Sequence, residues 1–77
     1  MINIFGYEQD NEKLLKLEEM TIQCSIKELD EVIRFLQVVK TNHEKVIDET
    51  EMCHSHYQDW STTWDRKSAD IIVVTKK

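Results

Sequence analysis

The sequence contains no proline and only one glycine among its 77 residues. Proline interrupts helices and sheets and glycine opens tight turns, so this composition predicts long elements joined by few tight turns. There is also no apolar run near the roughly 20 residues of a membrane span, and no basic segment followed by an apolar one at the N-terminus. We therefore expect a cytoplasmic location and no membrane partner.

Cysteine is also scarce, and the two present do not form a motif. Cys24 and Cys53 are 29 positions apart, without the C-x-x-C spacing of redox and metal sites. Because cytosolic thiols are kept reduced, we expect two free cysteines. A disulfide that joins the segment before the central helix to the segment after it stays an alternative.

Basic residues are outnumbered, and the imbalance is confined to one part of the chain. The net charge is −5, and residues 1–31 hold eight acidic side chains against three basic ones, whereas residues 32–77 hold seven of each. Affinity for nucleic acid comes mainly from lysine and arginine, so the charge argues against a nucleic-acid partner. A basic protein partner fits better, and the alternative is that the acids only keep a small domain in solution.

One long helix over residues 25–48 is the strongest local prediction. Ser25 precedes the apolar pattern and Glu28 follows three residues later, which is the arrangement of a capping box. Apolar residues at three- and four-residue steps predict a stripe that needs cover from other elements. This stripe consists of Leu29, Val32, Ile33, Leu36, Val39, Val46 and Ile47.

The segment before the helix predicts a hairpin. Residues 1–7 alternate as a short strand until Gly6 interrupts the pattern, and residues 8–13 are polar and suit a turn. Residues 14–24 resume extended character if a bulge near Glu18 and Glu19 shifts the register. Residues 20–24 are the clearer half of this second strand.

The segment after the helix predicts two further strands. Residues 49–53 have no periodicity and suit the turn back from the helix, and residues 54–60 follow as an extended segment. Residues 61–68 form a loop anchored by Trp64. Residues 69–75 are the strongest strand, and their four consecutive β-branched residues predict burial on both faces.

These elements predict one small α+β domain over residues 1–77 in the order ββαββ. Layer rules place the long helix across one face of a small antiparallel or mixed four-stranded sheet. A chain of this length buries only about 60% of the surface that it exposes when unfolded, so the core must be thin.

The pair His54 and His56 is the most suggestive local motif. Two imidazoles on one face of a strand can bind zinc, with Cys24 or Cys53 as a further ligand, but a structural site usually has four ligands. The alternative is that the histidines only hydrogen-bond or pack beside Trp60. His43 lies in the last turns of the helix, where it favours the C-terminal end of the helix dipole.

Aromatic residues concentrate just after this pair, at Tyr57, Trp60 and Trp64. Large rigid aromatics are enriched as anchors of protein interfaces, and cores use them too. We expect Trp60 in the core and Trp64 at the surface or at an interface. No nucleophile elbow or phosphate-binding glycine loop is present, so we predict no catalytic residues and no cofactor.

Three segments together resemble a known family. They are E-M-T-I-Q-C-S-I-K-E-L-D-E-V-I-R-F-L at residues 19–36, C-H-S-H-Y-Q-D-W at residues 53–60 and A-D-I-I-V-V at residues 69–74. They resemble immunity protein 32, a family of small bacterial immunity proteins associated with polymorphic toxin systems. The resemblance implies a non-enzymatic protein that binds and neutralises a cognate toxin, and His54, His56 and Trp60 match its most specific motif.

The sequence thus predicts a small acidic binding protein, an immunity protein whose partner is a cognate protein toxin. The residues that we expect to bind the partner are His54, His56, Trp60, Trp64, Glu28, Asp30 and Glu31. Two alternatives stay open. One is a metal-binding or metal-stabilised protein that uses His54 and His56, and the other is a homodimer formed through the last strand.

Overall fold

The computed structural model describes residues 1–77 and has the predicted α+β class and ββαββ order. A short helical turn is added between the last two strands. The elements in chain order are β1 (Ile4–Gly6), β2 (Leu15–Leu17), α1 (Ile26–Val46), β3 (Met52–His56), α2 (Tyr57–Trp60) and β4 (Ile72–Lys76).

Helix α1 begins with the predicted capping box. The backbone N–H of Glu28 donates to Oγ of Ser25 at 3.1 Å, and the backbone N–H of Ser25 donates to Oε1 of Glu28 at 2.9 Å. The helix ends at Val46, and the N–H of Ile47 donates to the carbonyl of His43 at 2.9 Å. Two of the unpaired donors at the start of the helix are therefore satisfied by local side chains.

The buried face of α1 differs from the predicted stripe. It consists of Val32, Phe35, Val39 and His43, of which Phe35 is the most buried at 1% exposure. Leu29, Ile33 and Leu36, which the sequence analysis placed under cover, are between 42% and 47% exposed. Helix α1 carries two adjacent apolar stripes, and only the one that contains Phe35 faces other elements.

The core forms where α1 meets the C-terminal part of the chain. Val32, Phe35 and Val39 pack with the buried Tyr57. Four partly buried residues surround this cluster, namely Trp60, Trp64, Ile71 and Val73. Burial of a side chain such as Phe35 stabilises the fold by about 3 kcal/mol. With only five buried residues in the chain, this one cluster carries most of the apolar stabilisation.

Strands β3 and β4 form an antiparallel hairpin that covers α1. The register pairs Met52 with Lys76 and His56 with Ile72. Burial alternates along β4, and Ile72 and Val74 are each 50% exposed. The prediction that both faces of this strand are buried is therefore wrong, because the hairpin has a helix on one face only.

The chain between α1 and β4 also differs in detail from the prediction. Helix α1 ends at Val46 and strand β3 begins at Met52, so the turn after the helix consists of residues 47–51 and lies two positions before the predicted residues 49–53. The extended conformation ends at His56, and the next four residues form α2. This change of conformation, and not an alternating strand, brings both Tyr57 and Trp60 to the core.

The N-terminal hairpin is smaller than predicted. Strands β1 and β2 pair antiparallel over three residues each, and Gly6 continues β1 instead of interrupting it. A Cβ at Gly6 would lie 3.1 Å from Cδ1 of Leu17, so glycine suits this close approach. In the turn, the N–H of Asn11 donates to the carbonyl of Glu8, and Asp10 has a positive φ of 60°.

Residues 20–24 do not form the second half of a strand, and this part of the prediction is wrong. Strand β2 ends at Leu17, and Met20 and Ile22 are 58% and 47% exposed. No other strand lies beside this segment to pair with its backbone groups. Residues 20–24 alternate between apolar and polar side chains, but no neighbouring strand is present to pair with them, so they do not form a strand.

The four predicted strands form two separate two-stranded sheets and not one four-stranded sheet, because no strand of the N-terminal hairpin pairs with the C-terminal hairpin. The N-terminal hairpin contributes no residue to the core cluster, which comes entirely from α1 and the chain after it. The radius of gyration is 13.4 Å, compared with about 11.5 Å for a compact domain of this length. The N-terminal hairpin therefore extends the molecule beyond its packed part. None of the helices combines the length and the apolar character needed to cross a membrane.

Candidate functional site

A groove of about 380 Å³ lies between α1 and the segment formed by β3 and α2. Its apolar part consists of Phe35, Val38, Val39 and Trp60. Its polar part consists of Asn42, His54, Ser55, His56 and Asp59. The groove thus collects three of the residues that the sequence analysis singled out, His54, His56 and Trp60.

The two histidines lie side by side in this groove. Their ring centroids are 5.7 Å apart and the rings are nearly perpendicular, at 79°. His54 is exposed and makes no side-chain hydrogen bond within the chain. Nδ1 of His56 lies 2.8 Å from Oδ2 of Asp70. Because a carboxylate only accepts, Nδ1 of His56 is the donor in this bond, and in the neutral form of the ring Nε2 is an acceptor.

Asp70 holds the His56 side of the groove in place, a role that the sequence analysis did not predict. Its Oδ1 accepts from the backbone N–H of Gln58 at 2.8 Å and from its own neighbour Ile71 at 3.0 Å. One carboxylate therefore joins the start of α2, the entry to β4 and the ring of His56. Asp70 is 14 positions from His56 in the sequence, and the hairpin register brings the two residues together. No local sequence pattern therefore indicated this contact.

The structure shows no metal site at the histidine pair. Nowhere do three or more His, Cys, Asp or Glu side chains come close enough together to hold a metal ion. Cys24 is exposed, Cys53 is partly buried, and both are free. A metal at His54 and His56 would therefore have only two protein ligands from this chain, fewer than the three or four of zinc sites.

His43 is buried and connects α1 to both strands of the C-terminal hairpin. Its Nδ1 lies 2.7 Å from Oγ1 of Thr75 and its Nε2 lies 2.9 Å from Oγ of Ser55. His43 lies in the last turn of α1, as predicted, and its contacts with both strands are a structural role that the interpretation based on the helix dipole did not include. Its position four residues after Val39, on the buried stripe of α1, was the signal that could have identified it.

The contacts of His43 with two hydroxyl groups suit a structural role. A serine hydrogen-bonded to a histidine is also the arrangement of an activated nucleophile, in which a third group orients the base. Here the third group is the neutral hydroxyl of Thr75, which has no charge to stabilise an imidazolium. The network satisfies every polar atom of a 6% exposed side chain, which a buried imidazole requires.

Both tryptophans pack against the core cluster. The ring of Trp60 lies 5.6 Å from that of Phe35 and 6.1 Å from that of Tyr57, as expected for a core residue. Nε1 of Trp64 donates to the carbonyl of Ala69 at 3.0 Å, which fixes the loop before β4. Both indoles are half-buried, so each keeps part of its surface toward solvent.

The three acidic residues at the start of α1 have different surroundings. Glu28 belongs to the capping box, and the N–H of Ser25 lowers the pKa of its carboxyl group. Glu31 accepts from the hydroxyl groups of Ser61 and Thr63, and the bond from Ser61 is the main cause of its lowered pKa. Asp30 is exposed and has only a 3.8 Å contact with Arg34. Only Asp30 of the three is therefore without a structural role.

An exposed apolar stripe runs along the first half of α1. It consists of Ile26, Leu29, Ile33 and Leu36, whose three- and four-residue spacing places them on one face. Ile26 is 82% exposed, and the others are between 42% and 47% exposed. Single exposed apolar residues are normal, but a continuous stripe on one helix face is typical of a surface that another molecule covers.

Comparison with known protein families, with curated proteins and with solved structures finds no match to this chain. The geometry defines a small α+β domain that exposes a helical apolar stripe and a groove lined by histidine, aspartate and tryptophan.

Proposed function

We propose that this chain is a small acidic binding protein of the immunity-protein type, which neutralises a cognate bacterial toxin by covering part of its surface. The observation that carries the proposal is the exposed stripe of Ile26, Leu29, Ile33 and Leu36 on α1. Its role is binding and not catalysis.

The stripe has the properties of an interface centre. Its aliphatic side chains are between 42% and 82% exposed and lose these water contacts when a partner packs on them, which contributes about 25 cal/mol per Å² of apolar surface buried. They project from a helix with a capped start, so they are held in place before binding. A preorganised surface loses little conformational entropy on association, which favours affinity.

The charge around the stripe supports a basic partner. The acidic excess of the whole chain lies in residues 1–31, which include the first turns of α1. Asp30 is exposed near the stripe, and Glu18 and Glu19 are exposed in the segment that leads to the helix. Complementary charge increases the association rate and disfavours wrong partners. A toxin that acts on nucleic acid would present such a basic surface.

Growth rescue tests this function directly. Co-expression of the chain with the toxin encoded beside its gene should restore growth, and the two purified proteins should elute together. Ile33→Lys places a charge in the centre of the stripe and should abolish both effects, because a buried unpaired charge is costly. Thr41→Lys adds the same charge at an exposed position of α1 outside the stripe and should rescue as the wild type does.

Two results would overturn the proposal. One is that the wild-type chain neither rescues growth nor binds the neighbouring gene product. The other is that Ile33→Lys, shown to be folded by circular dichroism, binds as tightly as Thr41→Lys, because the stripe would then not be the contact surface.

A further inference from the structure

The groove between α1 and the β3–α2 segment contains polar groups that the fold does not use. Asp59 is exposed and has neither a hydrogen bond nor an ion pair within the chain, and the side chain of Asn42 is likewise without a hydrogen bond. His54 is unbonded, and His56 uses only Nδ1, toward Asp70. These groups surround an apolar wall made by Phe35, Val38, Val39 and Trp60.

The polar and apolar side chains of the groove favour one class of ligand over others. An apolar group would remove water from the carboxylate of Asp59 without replacing its hydrogen bonds, which is unfavourable. An anion would be repelled by the same carboxylate in a chain of net charge −5. A cation with a flat apolar surface avoids both unfavourable effects. Its charge pairs with the carboxylate of Asp59, and its flat surface packs on the apolar wall.

We propose that this groove binds an arginine side chain of the partner protein. The inference rests on the proposed function, since it names the group that the toxin inserts. The guanidinium pairs with the carboxylate of Asp59 and stacks on the exposed part of the Trp60 ring, and the remaining N–H groups donate to Asn42 and to Nε2 of His56.

Arginine fits this site better than lysine does. Its planar guanidinium stacks on aromatic rings and offers five N–H donors in a fixed plane, whereas a lysine ammonium is a compact and strongly hydrated charge. The groove presents several acceptors next to an aromatic face, which matches the planar group. Its volume of about 380 Å³ lies at the small end of ligand pockets, and it can accommodate one such side chain with bridging water.

The fold prepares the site before the partner arrives. The wall is built on the core contact between Trp60 and Phe35, whose rings are 5.6 Å apart. Asp70 fixes the ring of His56 and the start of α2, the helical turn that carries Asp59 and Trp60. An arginine therefore meets groups that are already in position, which lowers the entropic cost of binding.

Nuclear magnetic resonance titration of the 15N-labelled chain tests the site without the toxin. The probe is N-acetyl-arginine amide, and the matched control is N-acetyl-citrulline amide, which has nearly the same shape without the charge. The arginine compound should shift the Trp60 indole N–H and the amides of His54 and Asp59 in a saturable manner. The citrulline compound should bind at least about fivefold more weakly.

Two matched variants separate the groove from the general negative charge of the chain. Asp59→Asn removes the carboxylate in the groove and should weaken arginine binding at least about fivefold. Asp48→Asn makes the same change in the exposed turn after α1, outside the groove, and should leave binding unchanged. Equal binding of arginine and citrulline, or an unchanged affinity in Asp59→Asn, would overturn the proposal.

Toxin binding separates failure of this inference from failure of the proposed function. If the toxin binds the wild type and Asp59→Asn equally well, the function stands and the arginine site is wrong. If no toxin binds but the arginine compound saturates the groove, the site stands and the function is wrong. The inference predicts that Asp59→Asn also weakens toxin binding and that Asp48→Asn does not.

Discussion

Nε2 of His43 on helix α1 lies 2.9 Å from Oγ of Ser55 on strand β3, and the other nitrogen of the same ring contacts Thr75 on strand β4. One buried side chain therefore joins three elements, one helical turn after Val39 of the core cluster. In the neutral ring one nitrogen donates and the other accepts, and hydroxyl groups can match either arrangement.

Replacement of His43 should destabilise the fold strongly. His43→Ala leaves a cavity and two hydroxyl groups without their partner, so we expect a loss of about 2–4 kcal/mol in the free energy of unfolding, measured with urea. Thr75→Val and Ser55→Ala should each cost about 1–2 kcal/mol. If His43 acted only on the helix dipole, His43→Ala would cost under about 1 kcal/mol and the loss would decrease with salt.

Removal of the Asp70 carboxylate should loosen the groove as well as the fold. Asp70→Ala removes three hydrogen bonds at a partly exposed site, where water replaces some of them, so we expect a loss of about 1–2 kcal/mol. Asp59→Ala removes an exposed carboxylate without bonds and should change stability by less than about 0.5 kcal/mol. Equal stability of the two variants would show that the Asp70 contacts contribute nothing.

The parts of the fold that depend on local signals could be predicted from the sequence, and the parts that depend on packing between elements could not. The capping box of Ser25 and Glu28, the turn after Tyr7 and the extended C-terminal segment could all be predicted, because their signals lie within a few residues. The choice between the two apolar stripes of α1 could not. Phe35 and Leu36 are adjacent in the sequence and both are apolar. The fold buries Phe35, because it faces the C-terminal hairpin.

The residues of the candidate site likewise fall into those that a local motif could identify and those that only tertiary packing brings together. His54, His56 and Trp60 could be found because they form a short motif, and the structure brings them into one groove. Their partners on other elements could not be found. Asn42 comes from α1 and Asp70 from the segment before β4, and only the packing of α1 and the register of the hairpin place them beside the motif.

Acid should destabilise the chain through the carboxyl groups of Glu28 and Glu31. Hydrogen bonds to their charged forms lower both pKa values in the folded state, mainly from the N–H of Ser25 and the hydroxyl of Ser61. A lowered folded pKa contributes stability that is present above the unfolded pKa and is lost as pH falls through the folded pKa. The loss should begin below about pH 4.3, the ordinary pKa of a glutamate.

Glutamine variants check the origin of this acid sensitivity. Glu28→Gln and Glu31→Gln should each be less stable at pH 7 and should lose less stability between pH 5 and pH 3 than the wild type, in urea unfolding followed by circular dichroism. Glu44→Gln, at an exposed helix position, serves as the control. Parallel acid profiles for Glu31→Gln and the wild type would contradict the assignment.

Burial has the opposite effect on Tyr57. It raises the pKa of the phenol, which favours the neutral form in the folded state. This stability is present below the unfolded pKa and should be lost as pH rises above about 10. Tyr57→Phe should therefore remove the fall in stability that the wild type shows in this alkaline range.

The outer face of the C-terminal hairpin provides a test of self-association. Met52, Ile72 and Val74 are each about half exposed on a two-stranded sheet whose strand edges are unpaired. If two copies associate through this face, sedimentation at micromolar concentration should show a dimer that Val74→Lys converts to a monomer. A monomer in the wild type would leave this face exposed in solution and remove the homodimer from consideration.

If the partner is a basic toxin, as proposed, its long-range attraction should depend on the exposed acids before and within the first turns of α1. Glu18, Glu19 and Asp30 are suited to the test, because Glu28 and Glu31 hold the helix start and the loop at Ser61. Replacement of these three by Gln, Gln and Asn should slow association severalfold at low salt, with a smaller change in the dissociation rate. The effect should nearly vanish near 0.5 M salt, where the Debye length is about 4 Å.

A second triple variant distinguishes local attraction from the effect of net charge. Asp48→Asn, Glu49→Gln and Glu51→Gln remove the same number of charges from exposed positions at the other end of α1. We expect this variant to slow association less, because attraction depends on the acids that face the approaching basic surface. Equal slowing by both triple variants, measured by stopped flow, would mean that net charge alone attracts the toxin, and affinity would then reside in the stripe and the groove.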